Sequence, residues 1–314
     1  MKTVIFKVIK PGLQSTVQDL GRYGYQQFGI SPSGAMDSYS MQLANILVGN
    51  LPGEAVLEVS FTGPVLEACS HMVIAICGGD FSPKVDDREA PMWKSFLLKK
   101  GETLSLGSCK QGARAYVAVC GGIDVPVVLN SKSTSLIGRF GGYEGRTLQK
   151  KDLIFGEPVI RKPLKSLPPK FIPHFKKQLT VRVILGPHVQ RFTGLSIERF
   201  LSEEFIVTPQ SNRMGFQLNG PKLDHVQGPD IISDPIPLGG IQVPASGQPI
   251  ILMADRQTTG GYTRIGTVIS VDIPLLAQAV PDTKIQFVEV SLKEAQRLYF
   301  ERLLFLKHLC LAAK

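Results

Sequence analysis

With 314 residues, 43% hydrophobic and 19% charged side chains, the chain has the make-up of a globular protein and not of a disordered one. That length exceeds what one ordinary core carries and suits two domains. The net charge of +9 suggests nucleic acid only if it is spread over a surface, but seven Lys or Arg and no acid fall between Arg161 and Arg182, leaving about +2 elsewhere.

The opening MKTVIFKVIKPG holds two short apolar runs broken by Lys7, which is not the pattern of a signal peptide. No apolar run approaches the ~20 residues of a membrane span, so a cytoplasmic protein with no membrane or nucleic-acid partner is expected. Strand patterns follow at TVIFKVI, AVLEVSF, MVIAIC, SFLLKKGETLSL and ARAYVAVC, most bounded by Gly, Pro or Asp. One helix interrupts them, MDSYSMQLANILVGN: Asp37 or Ser38 caps it, Met41, Ala44, Leu47 and Val48 share a face, and Gly49 ends it. The basic segment 161–178 carries Pro163, Pro168, Pro169 and Pro173 and reads as an exposed linker.

Beyond it, LTVRVILGP, EFIVTP, GFQLNG, GGIQVP, PIILMA, TVISVDIP and KIQFVEV are short strands at the spacing of a closed or nearly closed barrel. SLKEAQRLYFERLLFLKHL ends the chain as a helix with a capping box at Ser291 and Glu294, its apolar stripe packed on the barrel or on a partner. The expectation is a mainly β protein with few helices: a β-rich domain over 1–160 with one helix, a linker over 161–178, and a barrel with its C-terminal helix over 179–314. Gly-Gly-Ile-x-Val-Pro recurs at 121–126 and 239–244, which two related domains would explain, as would a shared turn-strand idiom; the first is the expectation. Cys69, Cys77, Cys109, Cys120 and Cys310 form no C-x-x-C pair and read as reduced thiols in apolar surroundings.

Three stretches gather groups suited to a ligand. In the first, Gln18, Asp19, Arg22, Ser33 and Asp37 are interspersed with Gly21, Gly24, Gly29 and Gly34. In the second, Ser211, Asn212 and Arg213 share a loop between strands, where Asn and Ser favour a turn and the guanidinium suits a carboxylate or phosphate. In the third, the apolar run Ile250–Ala254 drops into Asp255, Arg256, Gln257, Thr258, Thr259, Gly260, Gly261 and Tyr262. So many polar groups at a buried strand end either knit the barrel rim or line a pocket, and the glycine pair favours the pocket by exposing backbone N–H groups. Other chemistries find little support. The five histidines lack ligand spacing, so no metal is expected; GRFGGYEGRT lacks the P-loop spacing; and no Gly-x-Ser-x-Gly elbow is present.

Six blocks, TVQDLGR, PSGAMD, GGIDVP, SNRMGFQLNG, SDPIPLGGIQVP and ADRQTTGGY, resemble in order the signature blocks of one bacterial family. It is known as the 5-oxoprolinase C subunit, KipA, allophanate hydrolase subunit 2, and the biotin-dependent carboxyltransferase family. The resemblance implies a cyclophilin-like β-barrel and a partner of the KipI or 5-oxoprolinase B-subunit type. With a third protein, of the 5-oxoprolinase A-subunit type, the complex would be an ATP-dependent lactam hydrolase, using ATP with Mg to open 5-oxoproline to L-glutamate. On that implication Arg213 or Arg256 holds the substrate carboxylate or a phosphate, and Asp255, Asp19 or Asp37 acts as base or orients water. Asn212, Thr259 and Tyr262 bind the lactam or its oxyanion, with Gln257, Arg22 and Ser33 completing the substrate-binding set. Two relatives imply other roles: a KipA-like regulator that binds a histidine-kinase inhibitor, and a carboxyltransferase acting on urea or a related amide. The chain has no biotin-carrying lysine motif and no carboxylase domain, so biotin is not expected on it.

Overall fold

The computed structural model describes residues 2–160 and 163–312; Arg161 and Lys162, at the head of the basic segment, lie outside the described residues. The chain forms two compact units. The first comprises Met1–Arg22, Ser33–Phe175 and Phe305–Lys314, and the second Tyr23–Pro32 and Lys176–Leu304. The protein is mainly β, with four α-helices among the described residues and a closed seven-stranded barrel, as the cyclophilin-like reading requires.

Two sheets make the first unit. One orders its strands Ile123–Asp124, Leu153–Gly156, Thr3–Lys10, Val65–Ala68, Thr103–Ser105, Lys84–Val85, Arg88–Glu89. The other orders Gln14–Gln18, Val56–Ser60, Gln111–Val119, Met72–Asp80, Ser95–Leu98. The strand Met72–Asp80 is an almost unbroken apolar run because both of its faces are covered. Met72, Ile74 and Ile76 join a core with Ile5, Phe6, Leu66 and Leu104 of the other sheet. Val73, Ala75 and Cys77 alternate to the opposite face and meet Met41, Ala44 and Leu47 of the helix Ser38–Val48. That helix begins and ends as its sequence dictates: Asp37 accepts from the Ser40 amide at 2.9 Å, and Gly49 closes it at φ 82°.

In the second unit the barrel runs Gln178–Leu185, Arg264–Val268, Gly240–Gln242, Ile250–Leu252, Gly215–Asn219, Glu204–Val207, Lys284–Glu289 and back to the first. Closure leaves no free edge. Val181, Phe205, Phe216, Ile241, Ile251, Ile265 and Phe287 fill it, and Phe200 of the helix Gly194–Ser202 stacks on Phe287 at 4.5 Å.

Three expectations are revised. The polar residues after Met253, expected at the barrel rim or in a pocket, partly form a strand of their own: Thr259–Tyr262 pairs with Asp230–Pro235 in a separate two-stranded ribbon. The basic segment is not wholly exposed. Leu167 is buried, and Phe171, Ile172 and Phe175 pack on the helix-side core of the first unit. The Ser95 amide donates to the Lys165 carbonyl at 2.8 Å, which ties this segment down. Its lysines signal exposure, but the apolar residues between them turn inward. The terminal helix Leu292–Ala312 buries only Leu306 fully, whereas Tyr299, Phe300, Leu303 and Leu304 are exposed. Its capping box is half formed: Ser291 accepts from the Glu294 amide at 3.2 Å, but the Glu294 carboxylate turns to Arg297. No described helix is long and apolar enough to cross a membrane.

Candidate functional site

At the end of the strand Ile250–Leu252 the chain turns, and backbone bonds fasten the turn to its neighbour: Met253 N–H to Met214 C=O and Asp255 N–H to Arg213 C=O, both 2.9 Å. The side chains repeat the pairing. Arg213 Nε lies 2.8 Å from Asp255 Oδ2 and its Nη2 lies 3.0 Å from Oδ1, a bidentate fork between side chains each 5% exposed. Both Asp255 oxygens are thereby occupied, and its part is to hold Arg213 and the turn.

Arg256, next in the chain, is different. It is only 6% exposed, yet no carboxylate lies within ion-pairing distance of it among the described residues. Nε donates to the Ile236 carbonyl at 3.0 Å and Nη1 to the Met253 carbonyl at 3.3 Å, two neutral partners that orient the fork without neutralising it. Burial pushes its pKa below the ordinary arginine value, opposed by Tyr23. Tyr23 belongs to the excursion Tyr23–Pro32, in which Ser31 donates to the Ala254 carbonyl at 3.4 Å. A guanidinium removed from water and left without an acid is costly unless an anion completes it.

The other expected residues of this unit fall outside that turn's interior. Gln257 and Thr259 are exposed, and Tyr262 is half exposed on the ribbon. Asn212 shapes its own loop, its Oδ1 accepting from the Met214 amide at 2.8 Å. The glycine pair has a packing cause at Gly260, where a Cβ would sit 2.5 Å from both Gln242 Nε2 and Ile236 Cδ1. Gly260 and Gly261 are thus strand residues, and the expected display of free N–H groups gives way to ribbon pairing.

In the first unit two carboxylates expected as bases serve structure. Asp19 accepts from the Gly21 amide (2.8 Å), the Lys132 amide (2.6 Å), the Ser131 hydroxyl (2.7 Å) and the Ser133 hydroxyl, and so fixes the turn 131–133. Asp37, 1% exposed, caps the helix through the Ser40 amide and hydroxyl. Its amide donates to the Tyr116 hydroxyl at 2.7 Å, which in turn donates to Glu58 at 2.8 Å. Arg22 is fully buried, donates to the Ser133 carbonyl and lies over the Phe140 ring at 4.8 Å. Ser33 holds φ 55°, in the left-handed region, and its buried hydroxyl has no hydrogen-bond partner among the described residues. Gln18, named in the same ligand-suited stretch but given no role, is alike: its amide nitrogen is bonded within the unit, while its buried Oε1 has no partner among the described residues. A glutamine just before the Asp-x-Gly turn is the only trace of this in the sequence. The described residues hold no cluster of three His, Cys, Asp or Glu suited to a metal.

Asp19, Arg22, Ser33 and Asp37 thus lie in the first unit, and Arg213, Asp255 and Arg256 in the second. Residues 28–289 of the chain match one family model, carboxyltransferase domain, subdomain A and B. The chain belongs to that family. It is 36% identical over 312 residues to the 5-oxoprolinase C subunit of Escherichia coli (strain K12), covering 97% of this chain and 99% of that protein. It is 36% identical to the Haemophilus influenzae protein of the same name, covering 91% of each. Its fold is similar to the crystal structure of K. lactis urea amidolyase, with a TM-score of 0.93, 32% identity and 98% of this chain covered, although the chain spans only 20% of that protein.

Proposed function

We propose that the protein is the C subunit of an ATP-dependent 5-oxoprolinase, a complex that opens 5-oxoproline to L-glutamate with partners of the A-subunit type and the KipI/B-subunit type. The observation that carries this reading is Arg256, a buried cation poised by two carbonyls and lacking an acid. 5-Oxoproline is a small lactam with one carboxylate, and that carboxylate is the anion Arg256 would bind. Asp255 acts through Arg213 as a positioning residue for that site.

An unstrained lactam is a poor electrophile, and ATP, with Mg, supplies the activation by making its carbonyl oxygen a leaving group. Water then adds at that carbon, the ring C–N bond breaks with the nitrogen taking a proton, and a second water releases phosphate. The nucleotide has no assigned residues on this chain; in this reading the partners share that task. The exposed Tyr299, Phe300, Leu303 and Leu304 favour assembly, since a run of large apolar side chains on one helix suits burial against a neighbouring protein.

The urea amidolyase likeness favours a second reading, carboxyl transfer to urea or a related amide, in which Arg256 would hold the transferred carboxylate. Purifying the chain with its two partner proteins and assaying 5-oxoproline-dependent ATP hydrolysis separates them. Turnover without bicarbonate or a biotinylated carrier supports the oxoprolinase. Turnover that needs both supports carboxyl transfer and removes the first reading.

A further inference from the structure

The first unit contains a cavity of about 650 Å³ that none of the groups above enters. Its apolar wall is Met92, Trp93, Ile172 and Phe175, and Lys84 and Lys110 stand at its margin. The volume falls within the range of small-molecule sites, roughly 300–1,000 Å³.

Several features mark it as built. Trp93 holds φ 58° and Ser82 holds φ 44°, both left-handed non-glycine residues on the cavity wall. For a side chain as bulky as tryptophan that backbone costs energy and persists only where its surroundings fix it. They do: the Trp93 amide donates to the Ile76 carbonyl at 2.8 Å, and its carbonyl accepts from the Leu167 amide at 2.9 Å. On the facing side, the pairing of Gln111–Val119 with Met72–Asp80 slips between Gln111 and Ala115, a bulge at the cavity rim. Gln111 Nε2 donates to the Phe175 carbonyl at 2.8 Å and holds the strap 172–175 in place.

The charges indicate the sign of a ligand. Neither Lys84 nor Lys110 has a carboxylate within ion-pairing distance among the described residues. Asp80 also lines the cavity, but its Oδ1 accepts from the Ser82 amide at 2.7 Å. Glu89, also on the lining, is the cross-strand neighbour of Lys84. The strap residues on the lining, Ile172, Pro173, His174 and Phe175, bring no further carboxylate to it.

We propose that this cavity is a binding site for a small amphipathic anion, an aromatic or branched carboxylate whose apolar body lies against Trp93 and Phe175 while Lys84 and Lys110 hold its charged end. The site is independent of the Arg256 turn and of the activity assigned to it.

Trp93 is the only tryptophan, so its emission reports on the cavity directly. The full chain is titrated with phenylbutyrate and with phenylbutylamine, which share a body and differ in charge, and calorimetry repeats each titration. The acid should give a saturable change and bind about tenfold more tightly than the amine. Lys84→Gln with Lys110→Gln should weaken the acid about tenfold with an unchanged circular dichroism spectrum, and Glu89→Gln should leave it equal or tighter. Equal affinity for acid and amine, no saturable binding of either, or an unaffected double variant overturns the proposal.

Discussion

Asp255→Ala takes the carboxylate from a guanidinium that is itself 5% exposed. Two charge-assisted hydrogen bonds, at 2.8 and 3.0 Å, disappear together, and the Arg213 charge stays in the interior without its counter-ion. Breaking a buried pair from one side costs about 3–5 kcal/mol, several times the value of an exposed pair. At roughly 2–4 °C per kcal/mol for a domain of 150–250 residues, the unfolding transition of the second unit should fall by about 6–20 °C. Two units make a single two-state transition unsafe, so calorimetry should be paired with amide hydrogen exchange in Gly215–Asn219 and Ile250–Leu252, the strands that flank the fork. Removing both charges, as Arg213→Met with Asp255→Leu, should recover most of the loss, because it removes the desolvation penalty along with the attraction. A shift under about 1 °C in Asp255→Ala, or a double variant less stable than the single, would refute this account of the turn.

Asp37→Ala should cost about 0.5–2 kcal/mol by loss of a helix cap, leaving activity per folded molecule unchanged; a fall in turnover at full folding would return Asp37 to the chemistry. His188 and His225 are held below the ordinary histidine value, in each case chiefly by burial. Groups depressed in this way favour the neutral form, so their stabilisation is complete above about pH 6.5 and is lost as pH falls through the lower folded value. Thermal scans between pH 7.5 and 5.5 should show that decline, and His188→Asn with His225→Asn should flatten it. Phe300→Glu with Leu304→Glu should abolish co-purification of the partner proteins while the isolated chain keeps its melting temperature; retained assembly would place the interface elsewhere.

The sheets and the barrel are legible because burial writes period two or unbroken apolar runs into the strands, as in Met72–Asp80, and the helix Ser38–Val48 is legible through Asp37 and Gly49. The basic segment misleads because its lysines signal exposure although Leu167 and Phe171 sit among them. The ribbon is hidden because Gly260 and Gly261 look like turn residues, and only three-dimensional crowding by Gln242 and Ile236 shows why Gly260 lacks a side chain. At the candidate site, the residue types are visible but not their partners. Nothing in the sequence distinguishes Asp255, spent on Arg213, from Arg256, left without an acid, although the two are adjacent.

The most direct test of the central claim is the rate of 5-oxoproline-dependent ATP hydrolysis by the assembled complex carrying Arg256→Met. Methionine keeps the volume and removes the charge, so the variant should assemble and melt at or above the temperature of the parent. Its kcat/KM should nonetheless fall about a hundredfold or more, with Arg256→Lys recovering only part. A complex within about threefold of the parent would show that the buried guanidinium does not hold the substrate.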